Sequence, residues 1–110
     1  VKRDEATLSA VLERAGLLRT GVPEQDMKAQ LAVLLNAMDI YAEREAHHHQ
    51  LWKEMGYTDS AHHLRSKAAR VGKSVSMDTA ESEEAVDEAI DAINYAAFFV
   101  QNSEAGRRGE

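Results

Sequence analysis

All five histidines of the chain, His47, His48, His49, His62 and His63, fall in one stretch, EREAHHHQLWKEMGYTDSAHH at 43–63. Within it Glu45 and His48 form E-x-x-H, which sets a carboxylate and an imidazole on one side of a helix. That pair can bind a divalent metal or exchange protons near neutral pH. Glu84, Asp87, Glu88 and Asp91 form a second constellation. Their i, i+3 and i, i+4 spacing makes like charges repel on one helix face, and no lysine or arginine relieves them between Met77 and Asn102. Oxygen ligands crowded in this way suit a hard divalent cation such as magnesium or manganese. The competing reading is a solvated acidic face. His63, Lys67 and Arg70 make a third, basic row at i, i+4, i+7. Such a row can grip phosphate oxygens, or it can pair with the acids of the neighbouring helix.

These residues need helices to hold them. Leu8, Val11, Leu12 and Ala15 recur with helical period, which predicts a helix from Asp4 to Ala15 ended by Gly16. Pro23, with Glu24 and Asp26 behind it, opens a long helix whose pattern runs to about Met55, with Gly56 as its C-cap. Leu31, Leu34, Met38, Tyr41, Ala42 and Trp52 share one stripe of it, with Glu45 near the middle and His48 and His49 at the edges. A carboxylate on such a stripe must be offset by a metal, by hydrogen bonds or by a buried base. His47 points away from the stripe and is given no role.

A third helix, capped by Thr58 or Asp59, runs to about Val71. GKSVSMD is the clearest loop, and Asp78 with Glu81 resembles a capping box opening a fourth helix to about Asn102. On that helix Val86, Ala89, Ile90, Ile93, Ala97 and Val100 form the apolar stripe. Tyr95 and Phe98 continue the acidic face. The expectation is an all-α fold: a small bundle of about four helices with one long helix, completed by oligomerisation. It comprises a single helical domain, 1–102, and a flexible polar tail, 103–110.

Composition agrees. The 110 residues include only six glycines and one proline, too few turn formers for an all-β chain. A net charge of −6 argues against general affinity for nucleic-acid backbones. With no cysteine there is neither a disulfide nor a thiolate metal site, as suits a reducing compartment. No apolar run is long enough to span a bilayer and no signal-peptide pattern opens the chain, so a cytoplasmic location is expected.

DEAIDAINYAAFF, 87–99, resembles the second metal motif of the MazG-like all-α nucleotide pyrophosphohydrolases. There E-x-x-D on a helix is followed by Asn or an aromatic; here Glu88 and Asp91 precede Asn94 and Tyr95. The wider layout is similar to small phage-associated relatives linked to nucleotide modification. The shared features are Tyr41-Ala-Glu43-Arg44, then Trp52 and Gly56, then Lys67-Ala-Ala-Arg70, then Asp87 to Tyr95. The resemblance covers about Ile40 to Val100. It departs at Glu45-Ala-His-His48, where the pyrophosphohydrolases carry E-x-x-E.

The resemblance implies a metal-dependent nucleoside triphosphate pyrophosphohydrolase, phage-encoded and acting in a bacterial host as a dimer or tetramer. Glu45, His48, Glu84, Asp87, Glu88 and Asp91 would bind magnesium or manganese, with Glu45 and His48 also serving catalysis. His63, Lys67 and Arg70 would bind phosphate. Trp52, Asn94, Tyr95 and Phe98 would line the pocket or stack on a base. The missing second glutamate leaves room for an alternative: a non-catalytic phage or mobile-element protein that sequesters a nucleotide or inhibits a host protein. A second alternative is a ferritin-like metal-oxidising oligomer built on Glu45 and His48 of two chains.

Overall fold

The computed structural model describes residues 2–47 and 51–109. The regular elements of the described residues are all helices, without a strand, so the fold is all-α. In order come α1 (Glu5–Arg14), a short 3-10 turn (Leu17–Arg19), α2 (Glu24–His47), α3 (Leu51–Ser76) and α4 (Glu83–Arg107). His48 and His49 lie outside the described residues, and so does the junction through which α2 was expected to reach Met55.

Local chemistry sets the helix ends. Asp4 caps α1, its carboxylate accepting the Thr7 amide at 2.8 Å, and this contact lowers the Asp4 pKa. Gly56 interrupts α3 at φ 67 and ψ 170, a backbone region reserved in practice for glycine. The fully buried Ser60 donates its hydroxyl to the Gly56 carbonyl at 2.7 Å and satisfies an acceptor freed by the kink. The break expected at Gly56 is therefore present, as a kink within α3.

Three boundaries differ from the sequence reading. The loop expected over GKSVSMD is helical through Ser76. Ser82 caps α4 in place of Asp78, its hydroxyl accepting the Ala85 amide at 3.1 Å. Asp78 instead adopts φ 57 in the preceding turn, a left-handed conformation that aspartate tolerates better than most side chains. With Glu83 and Glu84 in its first turn, Ser82 presents the acids favoured at a helix N-terminus. At the other end α4 continues past Asn102 to Arg107, through much of the segment read as a tail.

Contacts gather the chain into two compact units, Val1–Asp39 and Ile40–Glu110. The first buries Leu8 and Leu12 of α1. It ties α1 to the start of α2 through Lys28, 3.0 Å from Glu5, and through Ser9, whose hydroxyl donates to Glu24. Arg3 clamps Asp39 with two hydrogen bonds at 2.9 and 3.0 Å. The stripe predicted for α2 is not its buried face: Leu34 is 39% and Met38 60% exposed, whereas Ala37 and Lys28 are buried. Apolar residues occur on several sides of this helix, so tertiary partners select the face and periodicity does not.

In the second unit α3 and α4 pack antiparallel. Numbers fall along α4 as they rise along α3: Trp52 meets Asn102, Tyr57 meets Phe99, His63 meets Tyr95 and Lys67 meets Asp91. Ala85, Ile90, Asn94, Phe98 and Ala105 are the buried residues of α4. Asp91 and Glu88 face α3 with them, so the face read as acidic is the packed one. Much of the predicted apolar stripe turns outward instead: Val86 is 49% and Val100 51% exposed.

Candidate functional site

The basic row on α3 meets the fourth helix rung by rung. His63 stacks on Tyr95 with ring centroids 4.9 Å apart and planes 16° from parallel. One turn on, Lys67 Nζ lies 3.1 Å from Asp91 Oδ2 and 3.2 Å from Glu88 Oε2. Arg70 closes the series, 3.5 Å from the same Glu88 oxygen. Helical spacing produces this ladder, because i, i+4, i+7 on α3 and i, i+3, i+7 on α4 are facing rows of antiparallel helices.

A third helix contributes as well. Arg44 of α2 donates to Asp91 Oδ1 at 2.9 Å, so both oxygens of Asp91 contact cations. Three cations, Arg44, Lys67 and Arg70, thus surround two carboxylates. Lys67, Glu88 and Asp91 side chains are each 17% exposed, while Arg44 and Arg70 are 42% and 60% exposed. Burial pulls the Lys67 pKa down, but its contacts with Asp91 and Glu88 outweigh that and leave it raised. The ammonium stays charged and the pair is held as an ion cluster. Glu88 Oε2 is buried without a hydrogen bond, although two cations lie within 3.5 Å. Its stabilisation is by charge and not by aligned donors.

An aromatic cluster adjoins this layer. Tyr95 meets Phe98 edge-on at 6.0 Å, and Phe98 meets Tyr41 at 5.4 Å. Tyr41 stands beside Glu45 one turn on; burial, reinforced by that carboxylate, raises the phenol pKa. Glu45 is half-buried with Tyr41 as a partner. The carboxylate on the predicted α2 stripe therefore has a polar neighbour, though the base that reaches α4 from this helix is Arg44.

The other expected site residues distribute as follows. Asn94 is buried beneath the ladder at 6% exposure. Glu84 and Asp87 are exposed. Glu84 lines a groove of about 480 Å³ at the α3–α4 turn with Arg70, Lys73, Ser74 and Ser82. Trp52 lies elsewhere: its carbonyl accepts Asn102 Nδ2 at 2.7 Å, about 16 Å along α4 from Asp91. His48 lies outside the described residues.

A divalent ion would need the oxygens of Glu88 and Asp91, and Lys67 occupies the space between them. The donor set therefore fits an ammonium as it stands. Among the described residues no group of three or more histidine or acidic side chains is arranged to hold a metal ion. Sequence reasoning missed Arg44 as a site residue, although the Tyr41-Ala-Glu43-Arg44 motif contained it. It also missed Asn102, which bridges α4 to the Trp52 carbonyl.

No family model, curated protein or solved structure matches the chain. The helices offer no membrane-crossing segment among the described residues.

Proposed function

We propose that the chain is a nucleotide-binding helical protein with a MazG-like layout that works as a homo-oligomer and recognises phosphate through the cations of α3 and Arg44. The observation that carries this reading is the imbalance of the ladder: three cations on two carboxylates, with both arginines reaching solvent. An arriving phosphate offers these arginines a second set of charged acceptors in planar, bidentate reach. Arg70 has the lowest cost of transfer, because its contact with Glu88 is long at 3.5 Å and its side chain is 60% exposed. Two turns away along α3, about 10 Å by helical rise, the stacked rings of His63 and Tyr95 provide a flat edge on which a nucleobase can lie.

The second reading, metal-dependent pyrophosphate release, is favoured by the E-x-x-D spacing of Glu88 and Asp91 on one inward face. It requires Lys67 to withdraw so that a divalent ion can take its place. Two assays run side by side separate the readings: direct binding of a nucleoside triphosphate panel, and pyrophosphate release with magnesium or manganese. Binding without cleavage supports sequestration. Metal-dependent cleavage lost in Asp91→Asn supports hydrolysis, and neither binding nor cleavage rejects both.

A further inference from the structure

The ladder between α3 and α4 opens toward the turn that joins them. Lys67 meets Asp91 at 3.1 Å, and one turn on Arg70 meets Glu88 at 3.5 Å. The same register sets Ser74, four residues after Arg70, against Glu84, four before Glu88, and there the pairing ends. Ser74 gives its hydroxyl proton to the Arg70 carbonyl at 3.1 Å, and Glu84 has no ion-pair partner among the described residues. In place of a rung lies the groove of about 480 Å³, whose walls include Arg70, Lys73, Ser74, Thr79, Ser82 and Glu84. Its size falls within the ~300–1,000 Å³ of small-molecule sites.

The lining of this groove divides by chemistry. Arg70 and Lys73, one turn apart on α3, are exposed cations, and Lys73 has no ion-pair partner among the described residues. They suit anionic oxygens. Much of the remaining polar lining is acceptor: the Glu84 carboxylate, and the oxygens of Ser74 and Thr79, whose protons go to the Arg70 and Ser74 carbonyls at 3.1 and 3.2 Å. A further phosphate there meets repulsion from Glu84, and an ammonium meets it from Arg70 and Lys73. Sugar hydroxyls fit both neighbours, because each can donate and accept without net charge. From His63 through Arg70 to Ser74 the order along α3 is ring stack, cations, acceptors, over about 16 Å by helical rise. A nucleoside diphosphate sugar carries base, diphosphate and sugar in that same order.

We propose that the open rung holds the sugar of a nucleoside diphosphate sugar, with the diphosphate on Arg70 and Lys73 and the sugar hydroxyls on Glu84. This rests on the nucleotide reading above and names the class of its ligand.

The test is titration calorimetry of the full chain, in buffer with a chelator. Adenosine, guanosine, cytidine and uridine diphosphates are each compared with their glucose and mannose esters. For at least one base an ester is expected to bind roughly tenfold tighter than the free diphosphate, as hydroxyls gain a charged acceptor. Glu84→Ala is expected to erase that difference. Glu83→Ala, which removes the neighbouring exposed carboxylate outside the groove, is expected to keep it. Circular dichroism of both variants should match the unmodified chain. Diphosphate binding with no gain for any ester overturns the sugar site and leaves the nucleotide reading standing. A gain that survives Glu84→Ala, or is lost equally in Glu83→Ala, also overturns this site. Absence of binding by every diphosphate and every ester overturns the nucleotide reading itself.

Discussion

Lys67 of α3 stands between the carboxylates of Asp91 and Glu88 at 3.1 and 3.2 Å, taking the position that a metal ion would need. A partly buried ammonium tolerates this place because two acids face it, and the acids tolerate each other because it is there. Lys67→Met removes the shared cation and leaves two neighbouring carboxylates with Arg44 and Arg70 alone. Chemical denaturation is expected to register a loss of about 3 kcal/mol. Adding Glu88→Gln to Lys67→Met is expected to recover part of it, as coupled neighbours do. An unchanged midpoint for the single variant contradicts the cluster.

Asp91→Asn keeps the shape but weakens the bonds to Arg44 and Lys67. Its expected cost is about 1–3 kcal/mol, measured without divalent ions. A purely solvated acid gives no loss, because removing it relieves repulsion. The melting temperature of the unmodified chain is expected to be the same with magnesium, manganese or a chelator. A rise with metal that vanishes in Asp91→Asn favours the hydrolytic reading.

Gly56 sits at φ 67 and ψ 170 with open space where a Cβ would project. Gly56→Ala therefore meets no steric neighbour, and its cost comes from the backbone alone. About 1–3 kcal/mol is expected from thermal unfolding. A neutral substitution means that the kink is not fixed at this residue.

The helices were legible from helical period and from breakers: the start near Asp4 and the Gly56 break are examples, whereas the cap read at Asp78 falls at Ser82. The packed face of α4 was not. Its row of apolar residues implied an inward stripe, and its acids implied water or metal. Relief for those acids lies on α2 and α3, far away in sequence, so local charge counting between Met77 and Asn102 finds only repulsion. The basic row His63, Lys67, Arg70 was visible from spacing alone. Pairing with the acids of the fourth helix was one of its two readings, and the antiparallel register of α3 and α4 supplies that pairing at Glu88 and Asp91. Arg44 was hidden for a similar reason, one residue from the glutamate that drew the attention.

Acid titration examines the first unit. The bidentate Arg3 contact, helped by charge attraction and opposed by desolvation, holds the Asp39 pKa down to about 2. A folded pKa below the unfolded value gives stability that is present above about pH 4 and lost as pH falls through about 2. Carboxyl-carbon chemical shifts are expected to place the Asp39 midpoint near 2 and to return it toward the ordinary aspartate range in Arg3→Ala. A normal midpoint in the unmodified chain contradicts the clamp.

The central claim is that the arginines of this ladder bind nucleotide phosphate without a metal ion. Titration calorimetry of the full chain with nucleoside triphosphates, in buffer containing a chelator, tests it most directly. The account predicts saturable binding by at least one triphosphate, weakened roughly tenfold or more in Arg70→Ala as a charge-assisted contact is lost. Circular dichroism of that variant should match the unmodified chain. Absence of binding across the panel, or binding that appears only when magnesium or manganese replaces the chelator, contradicts it.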